Sequence, residues 1–334
     1  MDLVSEVTTQ SAKHIVYKEG ALLSLISYVL RTYAYLVIGT VLALVNIPIF
    51  FLVVTRKTLR NTYLVLAFVF LNNGFTGISS ILLGMKRLID TASGERSIDH
   101  HHCVLNVPLL LLTAYSLNGL SLLMNSMERF SVVAFPIYYY THSTRICYSV
   151  IAVQYTITII AITTTTVASF IEPARRISNF CLLQSVYSPI FYKALILMTS
   201  TTSLLSIAFM VTIVVILRRK FGAKFLSSHS HNRDLSQFLK NQKRYTQTAL
   251  ISCCFTFFLA VVPSMVQYIY ILDPTSRSRT IVIACVYLPF LNSFNMITLF
   301  IWRQGDFRRA TIYSLKWLFC GRKHQIQPTT VVEF

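Results

Sequence analysis

Seven stretches of this 334-residue chain are apolar over the length needed to cross a bilayer, and that property restricts the fold more than any other. A hydrocarbon layer of ~30 Å takes about 20 helical residues, and the segments near 32–54, 62–85, 104–128, 146–170, 190–217, 245–271 and 280–302 all reach it. In lipid every backbone N–H and C=O needs an internal partner, so each segment is expected as a helix, and no alternating barrel pattern occurs. The expected fold is an all-α membrane protein, a seven-transmembrane helix bundle. A tail over 1–31 precedes the bundle at 32–302, and a terminal region over 303–334 follows it.

Charge gives the expected orientation. Only 13% of the residues are charged and 54% are hydrophobic, against about 25% charged in an ordinary soluble domain. The connectors at 56–60, 129–145 and 218–244, with the region after 302, carry 19 of the 30 Lys and Arg. By the positive-inside rule these face the cytoplasm, which puts the N-terminus outside. Lys86, Arg87, Arg175, Arg176, Arg277 and Arg279 oppose that bias. The net charge of +18 is therefore read as topology. No basic stripe with interleaved aromatics lies on a soluble element, so the expected partner is the lipid bilayer and not a nucleic acid. The first span is expected to serve as the insertion signal, because no charged head with a short apolar run and cleavage site precedes it.

Within this frame the stretch Asn125–Tyr140, NSMERFSVVAFPIYYY, stands out. Glu128 and Arg129 follow a long apolar segment, and Pro136 comes seven residues after Arg129. Taken alone, such an arginine either snorkels to the headgroups or is held against its acidic neighbour until a partner takes it. Other polar landmarks lie in a definite order. Asn46 stands mid-way through the first segment, Asn72 and Asn73 in the second, and Cys103 lies 26 residues before Arg129. Cys181 follows the fourth segment, Pro263 lies in the sixth, and Asn292 and Asn295 end the seventh ahead of DFRRA at 306–310.

In that order on seven segments, these residues resemble the rhodopsin-like G-protein-coupled receptors. The likeness covers roughly residues 32–320. It implies a disulfide between Cys103, which would open the third helix, and Cys181. It implies helix-packing roles for Asn46, Asn72, Asn73, Pro263, Asn292 and Asn295, and a short amphipathic eighth helix after the seventh. A G-protein switch is implied at Glu128, Arg129, Phe130 and Pro136, with Lys243 in the region where some members place a glutamate that locks the arginine. The implied partners are a heterotrimeric G protein and a small-molecule ligand. The implied location is the plasma membrane with the N-terminus extracellular, and no cofactor is implied. Cys320, between aromatic and basic residues, is a candidate for acylation.

Departures narrow the resemblance. The fourth segment has VQYT where the family carries a tryptophan, Val261 replaces the tryptophan two residues before Pro263, and Met296 replaces the proline after Asn295. With FPIYYYTHSTR after the charge pair, the chain looks most like the divergent nematode-type serpentine chemoreceptors. That likeness implies olfaction and a sensory cilium, and a looser resting switch than most of the family. The alternative within the fold is a peptide or orphan receptor. An ion channel or transporter is the rival from another class, and the near absence of Asp and Glu from the spans speaks against it.

Leu110 falls where amine receptors carry an aspartate, which argues against an amine ligand. Thr113, Tyr115, Gln267, Tyr268 and Tyr287, with Leu110, are the candidate ligand-pocket residues, and such a lining suits a small, mostly apolar molecule. Arg175, Arg176 and Lys193 are the candidates for attracting an acidic headgroup. Asp99 to Cys103 reads DHHHC, but three consecutive histidines cannot all face one ion on regular structure, so no metal is expected. Nothing has the layout of a nucleophile, base and orienting group, so enzymatic activity is not expected.

Overall fold

In a computed structural model the described residues are 29–92, 94, 96–220, 247–248, 250–272, 279–303, 308 and 312. Seven of its helices are long and apolar enough to cross a membrane: α1 Thr32–Thr55, α2 Tyr63–Asp90, α3 Val107–Ala134, α4 Thr141–Ile171, α5 Pro189–Leu217, α6 Leu250–Ile269 and α7 Cys285–Arg303. Together they form an all-α seven-helix bundle. The eighth helix expected after residue 302, Lys243 and Cys320 lie outside the described residues.

Close contact between α1 and α2 depends on missing side chains. A Cβ at Gly77 would sit 2.7 Å from the Gly39 carbonyl oxygen and 2.6 Å from the Ala43 nitrogen, and one at Gly39 would lie 2.7 Å from the Gly77 carbonyl oxygen. Apolar helices in lipid gain little from hydrophobic burial against one another, so small residues that let backbones touch supply the packing. At one end of the bundle the core is built from Leu52, Leu66, Phe70, Met210, Ile213 and Phe300.

The other end is closed by loops. Strand β1, Ser97–Asp99, between α2 and α3, pairs antiparallel with β2, Arg176–Ser178, between α4 and α5, with Ile98 opposite Ile177. The Cys103–Cys181 disulfide ties the same two loops across 78 residues. Cys103 lies in a separate single turn, His101–Val104, and does not open α3 as the resemblance suggested. The third helix begins afresh at Val107, where the Asn106 side chain accepts from the Val107 N–H and Pro108 occupies a first-turn position that needs no N–H donor.

Three backbone irregularities follow from local chemistry. The stretch after Phe135 is helical from Pro136 to Ile171, with a break at His142 (φ −121°, ψ 18°), so the expected 129–145 connector is mostly helix. A proline at a helix start has its φ already set and lacks a donor that would go unused there. In α6 a π turn, Phe257–Val261, ends two residues before Pro263, whose missing N–H and bulky ring disturb the turn behind it. In α4 the Thr164, Thr165 and Thr166 hydroxyls donate back to carbonyls three or four residues earlier, so each is satisfied within its own helix.

Candidate functional site

The third helix continues to Ala134, a turn and a half beyond Arg129. Arg129 therefore does not sit at a helix end where it could snorkel. Its Nη2 lies 3.0 Å from Glu128 Oε2, and the two side chains are only 3% and 1% exposed. A second group closes on the same carboxylate: the Tyr139 hydroxyl, one helical stretch later, donates to Glu128 Oε1 at 2.7 Å. The Cys147 thiol also approaches that oxygen, at 3.9 Å. Burial, and then the Glu128 carboxylate, push the Tyr139 phenol far above its ordinary range, which keeps it a donor. Phe130 packs its ring 5.6 Å from Phe209. Neutralised inside the protein, this charge pair is costly to break from one side, by about 3–5 kcal/mol when one partner is deleted.

Two polar layers cross the middle of the bundle. Asn72 Nδ2 donates to Ser121 Oγ at 2.5 Å and its Oδ1 accepts from the Tyr155 hydroxyl at 2.9 Å, while Gln154 Nε2 also donates to Ser121 Oγ. The second layer joins α2, α6 and α7. Asn73 Nδ2 donates to the Ser293 carbonyl, Thr256 Oγ1 donates to Asn292 Oδ1, and Asn295 Nδ2 donates to the Ser252 carbonyl and hydroxyl. Asn46 departs from this pattern, for its Nδ2 donates to the Leu42 carbonyl of its own helix and bridges nothing among the described residues.

Between these layers and the disulfide-closed end lies a cavity of about 190 Å³. It is lined from α1, α2, α3, α5, α6 and α7 and by the turn after Cys181, and it runs from Arg87, Leu182 and Gln184 down to Asn73, Ser293 and Met296. Tyr35, Tyr115 and Tyr287 line it, and their rings pack on Phe290: Tyr35 meets it edge-on at 5.5 Å and Tyr115 at 5.7 Å. Gln267 Nε2 donates to the Tyr192 hydroxyl at 3.3 Å on the same wall. The Tyr115 and Ser116 hydroxyls are buried without a hydrogen-bond partner among the described residues.

Of the six pocket residues expected from sequence, Tyr115, Gln267 and Tyr287 come together here, while Leu110, Thr113 and Tyr268 are not on the lining. The reason on α3 is rotation. Leu112, Tyr115, Ser116 and Gly119 share the cavity face, and Leu110 lies about 200° from Leu112 around the axis. Leu110 is instead exposed on the bundle's surface, and Thr113 returns its hydroxyl to the Leu109 carbonyl. The residues expected to draw an acidic headgroup are also elsewhere. Arg175 is spent on structure, donating to the Val186 and Tyr187 carbonyls and pairing with Glu172 at 3.2 Å. Arg176 is exposed on its strand, and Lys193 does not reach the cavity.

Sequence reasoning missed Arg87 and Tyr139. Arg87, read only as a charge opposing the topology, is 3% exposed and lines the cavity. Its Nε donates to the Phe180 carbonyl at 2.9 Å, and its guanidinium carbon lies 4.8 Å over the Tyr35 ring. Near the disulfide, Asp99, His100 and His101 bring three ligand-type atoms within 4.8 Å of one another. His100, however, has both ring nitrogens engaged, Nδ1 accepting from the Arg175 N–H and Nε2 facing the Ser169 carbonyl.

Fold and cavity define the class: a multi-pass membrane protein of seven helices, with a cavity at the disulfide end and a buried ion pair at the other. Compared with known proteins, the chain matches no protein-family model and no curated relative.

Proposed function

We propose that this protein is a G-protein-coupled receptor of the chemosensory kind, with the disulfide end outside the cell and Arg129 facing the cytoplasm. The observation that carries the reading is the Glu128–Arg129 pair, 3.0 Å apart and sealed from solvent on α3, at the opposite end of a seven-helix bundle from a ligand-sized cavity. A buried ion pair is a poor way to gain stability, since well-packed apolar residues would serve as well, but it makes a two-position device. In the resting arrangement Glu128 and Tyr139 hold the arginine's counter-charge in place. In the signalling arrangement Arg129 leaves Glu128 and turns to the G protein. A ligand shifts that equilibrium only by binding the two arrangements unequally. The cavity floor offers the means, because Asn73, Asn292 and Ser293 line it and also bond across α2, α6 and α7. Pro263 and the π turn before it supply the hinge in α6. The cavity's size favours a small molecule over a peptide: about 190 Å³ exceeds the roughly 150 Å³ that admits benzene.

The test is a ligand screen in cells carrying a promiscuous G protein. Wild type should give ligand-evoked nucleotide exchange, and Arg129→Ala should lose it at equal surface level. Ligand-evoked current in cells lacking G-protein signalling, with no exchange, would mark the protein as a channel instead. An epitope placed after residue 303 should stain only in permeabilised cells.

A further inference from the structure

Most hydroxyls along the cavity-lining helices are spent on their own helix. On α3 Thr113 donates to the Leu109 carbonyl and Ser121 to the Leu117 carbonyl, and on α5 Ser203, which lines the cavity, donates to the Thr199 carbonyl. Tyr115 and Ser116 break that habit. Both line the cavity, and both hydroxyls are buried without a hydrogen-bond partner among the described residues, with Ser116 only 2% exposed. A third group on the same turn of α3 is half-matched. Asn118 lines the cavity and its Nδ2 donates to Thr76 Oγ1 at 3.1 Å, while its Oδ1 has no partner among the described residues.

A polar group left unmatched in a dry interior is costly, so three on one turn of a cavity-lining helix mark the place for a guest's own polar group. The turn is also fixed. The Tyr115 ring lies 5.7 Å from Phe290, which meets Tyr35 edge-on, and the surrounding wall is apolar or aromatic, with Tyr35, Tyr287, Leu112, Leu195 and Val286.

The unmatched atoms select the guest by their chemistry. Two are hydroxyls, which donate and accept, and the third is an amide oxygen, which only accepts. A carbonyl or carboxylate on the guest would take an O–H and leave the amide oxygen as it was. A hydroxyl takes one O–H and gives one back. An ammonium group would need a counter-charge, and no acid lines the cavity among the described residues.

We propose that the cavity takes small neutral alcohols with an apolar body, the guest's hydroxyl lying on the turn of α3 that carries Tyr115, Ser116 and Asn118. The proposal rests on the reading of this cavity as the receptor's ligand site and names its ligand class.

The test measures binding alone, on the purified full-length protein in lipid nanodiscs, with protein-free nanodiscs to subtract what the lipid absorbs. Benzyl alcohol, benzaldehyde, toluene, benzoate and benzylamine share one skeleton and differ in the polar group. Benzyl alcohol should bind about tenfold more tightly than toluene, the scale of one good hydrogen bond, with benzaldehyde between them and the two charged probes weakest. Tyr115→Phe keeps the ring on Phe290, and combined with Ser116→Ala it should erase the preference for the alcohol while toluene binding stays. Thr113→Val alters a hydroxyl on α3 that is off the lining, and should keep the preference. The five-probe comparison in wild type needs no variant. Wild type that binds any of the other four probes as tightly as the alcohol, or a preference that survives in the folded double variant, overturns hydroxyl recognition alone. Wild type that binds none of the five overturns the cavity as a ligand site as well.

Discussion

The two ends of the bundle each bury an arginine, and they do so by opposite means. Arg129 is met within the chain by the carboxylate next to it, at 3.0 Å, and that carboxylate is held in turn by Tyr139. Arg87 is positioned by a carbonyl and a ring face and looks onto a cavity. A guanidinium keeps its charge at any ordinary pH; at Arg129 the counter-charge is the neighbouring residue, whereas Arg87 is oriented by groups from two distant segments and lines the cavity. The first makes a closed device that something must open. The second makes a part of the cavity wall whose position depends on the loop that carries the disulfide. The cavity end is also the end fastened covalently, by Cys103–Cys181 and the β1–β2 pairing, whereas the Arg129 end is held by non-covalent contacts among the described residues.

The sharpest way to break this contrast is to delete the internal counter-charge partnership. Arg129→Ala leaves the Glu128 carboxylate buried against a phenol and a thiol, and should cost about 3–5 kcal/mol of stability. Thermal unfolding in nanodiscs would register it as a large drop in midpoint. Glu128→Gln, which keeps the shape and frees the arginine, should instead raise ligand-independent nucleotide exchange. If neither midpoint nor basal exchange changed in these variants, the pair would be an ornament of packing.

At the other end the comparable lesion is covalent. Cys103→Ser removes a cross-link spanning 78 residues and should cost roughly 2–5 kcal/mol. Its functional effect should differ in kind from that of Arg129→Ala: ligand binding falls because Phe180, which positions Arg87, neighbours Cys181, while basal exchange stays as in wild type. A Cys103→Ser variant that binds ligand normally but signals without it would reverse the assignment of the two ends.

Much of this contrast is legible in the sequence, and the rest is hidden for a definite reason. The spans are readable because about 20 apolar residues in a row seldom occur in anything but a membrane-crossing helix. Glu128 and Arg129 are readable because both partners are adjacent in the chain. Arg87 is not, because its orientation comes from Phe180, ninety-odd residues away, and from Tyr35 on another helix. Beside Lys86, which pairs with Asp90 on the helix surface at 2.7 Å, it has the look of a second solvated cation. Arg175 misleads in the opposite direction, since a loop arginine near a cysteine gives no sign that two carbonyls will claim it. The break before α3 does carry a signal in Asn106 followed by Pro108, an N-cap and a first-turn proline. Leu110 and Thr113 fail for want of helix phase: without the restart at Val107, nothing sets which face of α3 turns inward.

A smaller effect should separate Tyr139 from the arginine it serves. Tyr139→Phe removes the donor on Glu128 Oε1 and leaves the Glu128–Arg129 contact, so the loss should be near the worth of one hydrogen bond to a charged group, about 1.5–3 kcal/mol. Basal exchange should rise less than in Glu128→Gln. An equal rise would mean that Tyr139, and not the ion pair, sets the resting state.

The smallest effect belongs to the disulfide end and is set by pH. Asp99 ends β1, and its carboxylate accepts from the His101 N–H at 3.1 Å, with the His101 and His100 rings beside it. The bond from the His101 backbone, and after it the attraction of the two histidines, hold its pKa below the usual carboxylate value, against the pull of desolvation. A carboxyl whose folded pKa is depressed stabilises the structure above its unfolded pKa, about 3.9, and that contribution is lost as pH falls through the lower folded value. Protection of the His101 amide from hydrogen exchange, corrected for the intrinsic rate, should therefore hold down to about pH 4 and decline below it. Asp99→Asn should show the lower protection throughout. Amides deep in α3, around Leu123 and Met124, should keep theirs across the same range, because the loop carboxylate caps only the turn that carries Cys103. Loss of protection in both places at once would mean that the loops and the bundle open as one unit, and the two ends would no longer be separable by pH.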